Sequence, residues 1–315
     1  MKPINKQYNK KTAFTIIELL TVMSIIVILI GLLSPALTKV NRYAREVKQR
    51  AQFHSIDIAI ELYNKEFEGY PDSGALDTAT PAVAYCGAMK LCEAMLGQDL
   101  LGFHPDSVFK SDGTDNSIPP VQLYPDEGTV TPQVYKENLS TRKGPYLQLE
   151  NTNAYRLGNI YQVAGVPATA PLNPERFVLC DVYNRVKLKP DPTVLNDKTS
   201  GRTGMPILYY KADTSKTGHD ANAVPPPNTN IYNYQDNADL VMLGLPWDPP
   251  PPAGTGPPHQ LYQDPLLTKN WERFYISTRD DKITTTVKPR RADSYILISA
   301  GFDGLYGTRD DIFNF

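Results

Sequence analysis

FTIIELLTVMSIIVILIGLL, residues 14–33, is the stretch on which the reading of this chain turns. Its 20 residues carry one ionisable side chain, Glu18. A helix rises about 1.5 Å per residue, so the run covers roughly 30 Å, the thickness of a bilayer's hydrocarbon core. It is longer than the apolar stretch of a secretory signal, which spans about 7–15 residues. Ser34-Pro35-Ala36 still offers the small-residue spacing that a signal peptidase cuts, with a mature start at Leu37. A carboxylate in a membrane helix costs a few kcal/mol and is usually kept for a task, but near a helix end it can also snorkel to water. Both uses are open to Glu18.

Downstream of Pro35, apolar or small residues recur at Leu37, Val40, Ala44, Val47, Ala51, His54, Ile58 and Leu62. The steps are three and four, a helical stripe weakened only at His54. Lys39, Arg42, Arg45, Lys48, Arg50, Asp57, Glu61 and Lys65 lie between these positions, and Gly69-Tyr70-Pro71 is a helix stop. The expectation is one helix of about 55 residues, roughly 80 Å long, kinked at Pro35. A signal peptide does not require its helix to continue in this way.

Lys10-Lys11-Thr12-Ala13-Phe14-Thr15-Ile16-Ile17-Glu18-Leu19-Leu20 resembles the class III prepilin signal. That signal is a basic leader, a small residue at the cut, then Phe, Thr, apolar residues and a Glu fifth after the cut. The family has Gly before the cut where this chain has Ala13. Tyr63–Pro71, YNKEFEGYP, and the C-terminal tail are similar to the major pseudopilin of type II secretion systems, general secretion pathway protein G. The resemblance implies cleavage by prepilin peptidase between Ala13 and Phe14 and methylation of the new amine. It implies that Glu18 neutralises the Phe14 amine of a neighbouring subunit, and that the chain polymerises with itself and other pseudopilins on an inner-membrane secretion platform. It places the leader in the cytoplasm, one span in the inner membrane and the soluble domain in the periplasm. Charge does not decide orientation, because Lys39–Arg50 holds five basic residues and one acid, as positive as the leader.

The domain organisation expected is a leader at 1–13, a transmembrane half-helix at 14–35, an amphipathic half-helix at 36–71, and an α+β domain at 72–315. In that domain the long helix should pack on a small antiparallel sheet carrying long, loop-rich insertions. A second helix is expected over Pro81–Gly97, with Ala82, Tyr85, Met89, Cys92 and Leu96 on one face. Strands are expected at Phe177–Tyr183, Ile207–Lys211, Leu240–Leu243, Arg273–Ser277 and Tyr295–Ser299, runs rich in Val, Ile, Tyr and Phe between turn residues. Pro225–Pro227, Pro249–Pro252 and Pro257-Pro258 exclude helix and central strand and read as surface loop.

Composition narrows the function classes. Apolar residues make up 41% of 315, enough for a sizeable core. The net charge of −2 gives no general attraction to nucleic acid. The 19 tyrosines could stack on bases among basic residues, but packing is their ordinary use. Cys86, Cys92 and Cys180 have no zinc spacing; either of the first two could pair with Cys180, and all three suit small buried apolar positions. The four histidines are scattered, and HExxH, GxSxG and P-loop motifs are absent, so no enzyme is expected. Two other classes stay open: a minor type IV pilin for adhesion or DNA uptake, and a secreted protein with an ordinary signal peptide.

The tail, residues 299–311, reads SAGFDGLYGTRDD. It lacks the alternation and closing Glu of an EF-hand. By residue type it is a solvated Asp/Gly turn. Its resemblance to the loop that closes the major pseudopilin domain implies a calcium ion. The ligands would be the carboxylates of Asp303, Asp310 and Asp311, the Ser299 hydroxyl, and the carbonyls of Ala300 and Leu305.

Overall fold

The computed structural model describes residues 15–75, 84–148, 152–161, 172–190, 197–221, 229–246, 259–283 and 286–315. The three proline runs and the cut site lie outside them. The chain divides into two compact units, Met1–Arg45 and Glu46–Phe315, and the division falls within the first helix, α1 (Ile16–Phe67). The fold is mixed α+β, with a long N-terminal helix and small antiparallel sheets.

In the first unit, α1 is exposed at every residue from Ile16 to Ala44 and continues through Pro35. Its most apolar 18-residue window has a mean hydropathy of 2.8 and buries none of its residues. That is long and apolar enough to cross a membrane. A core helix of a soluble protein would be mostly buried. Polar side chains inside this stretch turn back on the backbone: Thr21 donates to the Glu18 carbonyl at 2.9 Å, and Ser24 to that of Thr21 at 2.8 Å. Such bonds hide hydroxyls from an apolar solvent.

In the second unit, α1 packs on a three-stranded antiparallel sheet, β5 (Leu208–Lys211), β6 (Tyr295–Ser299) and β7 (Ile312–Phe313), in the order β5-β6-β7. Two antiparallel pairs accompany it: β1 (Ala154–Arg156) with β2 (Phe177–Leu179), and β3 (Val186–Leu188) with β4 (Gly201–Thr203). Phe53, Ile56, Ile60 and Tyr63 of α1 share one core with Leu179, Tyr209, Tyr295 and Leu297. Leu208, Tyr210, Ile296 and Ile298, the alternate residues of the same strands, belong to a second core with Phe274 and Tyr306. β6 is therefore buried on both faces, as a continuous apolar run in a central strand should be.

The buried face of α1 is not the expected stripe. Val47, Ile58 and Leu62 are about half exposed, and the core face runs through Gln49, Phe53, Ile56, Ile60 and Tyr63. Both series have helical spacing. The larger one, carrying two aromatic rings, buries more apolar area.

The second helix, α2, is shorter than expected, Gly87–Leu96, and every one of its residues is buried. It is a core helix and not a one-faced one. Tyr85 lies ahead of it, and Ala82 lies outside the described residues. Its start is set by tertiary contacts. The Ala88 amide donates to Asn237 Oδ1 at 2.9 Å, and a Cβ on Gly87 would meet the Tyr209 carbonyl at 2.3 Å. By contrast α3 (Pro132–Thr141) is capped locally, with Thr131 as N-cap and Pro132 in the first turn, and buries nothing. A one-turn helix, α4 (Leu157–Ile160), follows β1 directly.

Two expected strands are helices: Leu240–Met242 lies in α5 (Ala238–Met242) with Leu243 as its C-cap, and Arg273–Ser277 in α6 (Glu272–Thr278). Short apolar runs fit either period. In α6, Phe274, Tyr275 and Thr278 are buried, and the Ser277 and Thr278 hydroxyls donate to the carbonyls of Arg273 and Phe274 at 2.8 and 2.7 Å. The other three strands form, Phe177–Tyr183 only as far as Leu179.

Candidate functional site

Glu18 sits in the first turn of α1. The Thr15 amide and hydroxyl donate to Glu18 Oε2 at 2.9 and 2.7 Å, and the Glu18 amide donates to Thr15 Oγ1 at 3.3 Å. This is a reciprocal capping box. Thr15-Ile16-Ile17-Glu18 is its sequence signature, so Glu18 is a helix cap as well as a membrane carboxylate. Ala13 and Phe14 lie outside the described residues.

The tail forms the loop between β6 and β7. Asp303 and Asp310 meet across it: the Asp303 amide donates to Asp310 Oδ2 at 2.9 Å, and Thr308 donates to Asp310 Oδ1 at 2.7 Å. Gly301, with φ of 66°, allows the approach, since a Cβ there would stand 2.1 Å from the Asp310 carbonyl. The Leu305 amide donates to Asp303 Oδ1 at 2.8 Å, and the Leu305 carbonyl accepts from Thr308. Asp311 takes the Gly307 amide on Oδ2 at 2.7 Å, while its buried Oδ1 has no partner. Burial pushes the Asp311 carboxyl well above the usual carboxylate range, and the nearby Asp303 and Asp310 charges push the same way. Burial also raises Asp303. Burial opposes ionisation of Asp310 too, but hydrogen bonds from Thr308 and Asp303 outweigh it and hold Asp310 low.

This set of groups is of the chemical kind a hard cation takes, though its side chains are not gathered as a cage. It is all oxygen, two of its carboxylates stand against each other, and a third leaves a buried oxygen unpartnered. Among the described residues no three His, Cys, Asp or Glu side chains are gathered as a metal cage, so an ion here would draw on main-chain oxygens as well. Ala300 is fully buried beside the loop. Ser299 points the other way: its hydroxyl donates to Asp181 Oδ2 at 2.8 Å and accepts the Gly301 amide at 3.2 Å.

Asp181 was not foreseen. It is fully buried, and desolvation raises its carboxyl to about 7 against hydrogen bonds from Ser299 and the amides of Tyr183 and Met205. Ser299 lies 118 positions away in sequence, and no local pattern joins the two.

His219 and His259 are buried, and desolvation lowers both to about 4, leaving neutral rings. His259 Nδ1 accepts the Tyr306 amide at 3.1 Å, which assigns the proton to Nε2, 3.1 Å from the Gly244 carbonyl. The cysteines are free and buried, and burial pushes the Cys86 thiol up to about 12. They act as small core residues.

Compared with known proteins, the chain matches no family model, no curated protein and no solved structure.

Proposed function

We propose that the chain is a structural subunit of a type II secretion pseudopilus. It is processed by prepilin peptidase, anchored in the inner membrane by α1, and assembled through that helix with copies of itself and other pseudopilins. Its soluble domain lies in the periplasm. The observation that carries this reading is the exposed, apolar stretch of α1 with a single carboxylate at its first turn. A cleaved N-terminus at Phe14 would put a cation at the depth of Glu18, and an ion pair is the inexpensive way to keep a carboxylate in lipid.

The mature chain should begin with N-methylated Phe14 when analysed by mass spectrometry; a start at Leu37 would sink the reading. Glu18→Ala should remain in the membrane fraction, since it removes a desolvation cost of at most about 2.5–3.5 kcal/mol, yet filament assembly and secretion should fail. Glu18→Gln separates the two uses of the residue. It can keep the capping box but not the charge, and it should also fail to assemble. Normal assembly of Glu18→Gln would reduce Glu18 to a helix cap.

The C-terminal loop would hold a structural calcium ion through Asp303, Asp310, Asp311 and nearby carbonyls. The ion would supply the positive charge that lets all three carboxylates ionise together. A soluble piece starting at Glu46 should then melt higher in calcium than in chelator. At about 100 times the dissociation constant the gain is about 2.7 kcal/mol, or roughly 4–6 °C for a domain of this size. Asp303→Ala and Asp310→Ala should each abolish the difference, and magnesium should substitute poorly because it prefers a tighter octahedron. A melting temperature indifferent to calcium would return the loop to an ordinary turn.

A further inference from the structure

We propose that Lys39, Arg42 and Arg45, with Tyr43, form a cationic collar on α1 that binds the headgroups of anionic phospholipids where the helix leaves the bilayer. The proposal rests on the membrane-spanning reading of Ile16–Leu33 and not on filament assembly. A cationic strip on a helix is ordinarily just a solvated face. Three observations set this one apart. The first is charge. Lys39, Arg42 and Arg45 follow the span with no acid among them, the next one along the chain being Glu46. The three cations recur every third residue, so at about 100° per residue they share an arc of about 120°.

The second observation is depth. The apolar run that ends at Leu33 covers about one hydrocarbon core. Lys39 follows about 9 Å beyond Leu33, and Arg45 about 18 Å beyond it. That interval covers the headgroup layer and a Debye length outside it, where each cation near an anionic surface is worth about a fivefold gain in association. The third is Tyr43, 68% exposed and next to Arg42. Its ring with a hydroxyl tip lies on the headgroup side of the span, alongside the cations. Leu37 and Val40, 57% and 62% exposed, give the same stretch an apolar lining.

The test uses the full chain in vesicles made of equal parts phosphatidylcholine and phosphatidylglycerol. Flotation first reports whether the chain inserts. Spin-labelled lipids then report which headgroup occupies the immobilised shell around it. Phosphatidylglycerol should be preferred about fivefold or more in dilute buffer, and the preference should collapse in about 1 M salt, where the Debye length is about 3 Å. K39Q/R42Q/R45Q should insert equally well and show no preference. Lys65→Gln, an exposed cation near the far end of α1, should behave as the parent. Insertion with no preference in the parent chain, a preference that survives in the triple variant, or one that K65Q removes would overturn the collar alone. Failure to float would overturn the membrane span and the collar with it.

Discussion

Glu93→Ala should cost upwards of about 3 kcal/mol, a large part of the 5–15 kcal/mol that holds a typical domain together. Glu93 is 1% exposed in the middle of α2 and accepts four hydrogen bonds. Tyr85 Oη and Gln98 Nε2 donate to Oε2 at 2.5 and 3.0 Å, and Ser107 Oγ and Tyr124 Oη to Oε1 at 2.5 and 3.0 Å. Gln98 is held in turn by Arg176, 2.5 Å from its Oε1, and Tyr124 Oη accepts the His104 amide at 3.1 Å. Truncation leaves the buried Tyr85 and Tyr124 hydroxyls and the half-buried Ser107 hydroxyl without this acceptor, each costing about 1–3 kcal/mol, while Gln98 Nε2 keeps the Lys110 carbonyl at 2.7 Å. Glu93→Gln keeps one carbonyl oxygen and should lose about half as much. Urea midpoints of the piece starting at Glu46 read both. A Glu93→Ala loss below about 1 kcal/mol would mean that water replaces the carboxylate and that the network is not a structural centre.

Gly204→Ala should be comparably severe, for a steric reason. A Cβ on Gly204 would stand 1.6 Å from Asp181 Oδ1 and 2.5 Å from the Asp181 carbonyl. The carboxylate cannot swing away cheaply, because Ser299 and the Tyr183 and Met205 amides hold it and the Gly204 amide itself donates to the Asp181 carbonyl. A loss of about 3–5 kcal/mol is expected. Asp181→Ala alone should also destabilise, by removing the acceptor of those three donors. The double variant should lose less than the sum of the singles by at least about 1 kcal/mol, because removing the carboxylate makes room for the methyl group. Strict additivity in that cycle would show that the clash is relieved by backbone movement and that the two residues act apart.

The candidate site was unevenly legible. Glu18 stood out because one carboxylate in twenty apolar residues is an anomaly that needs no structure to see. The carboxylates of the tail were visible, and their separation of seven residues, with glycines between, allowed Asp303 and Asp310 to meet as they do. The direction of Ser299 was not visible. Its place at the end of β6 puts the hydroxyl within reach of both the loop and the core, and a carboxylate 118 residues away decides between them.

By itself the sequence determined the membrane-length helix, its stop at Gly69-Tyr70-Pro71, the strand Tyr295–Ser299 and the turn chemistry of the tail. Each depends on properties that neighbours along the chain settle: hydropathy over a window, a helix stop, a β-branched run, glycine's freedom at positive φ. The tertiary structure decided which of two equally periodic stripes of α1 is buried. It also made helices of Leu240–Met242 and Arg273–Ser277, and drew Glu93 and Asp181 into the interior. Those outcomes depend on partners far off in sequence. Tyr295 and Leu297 offer Phe53 and Ile60 more apolar area than Val47 and Ile58 find. A buried carboxylate is tolerable only once donors from other segments have closed around it.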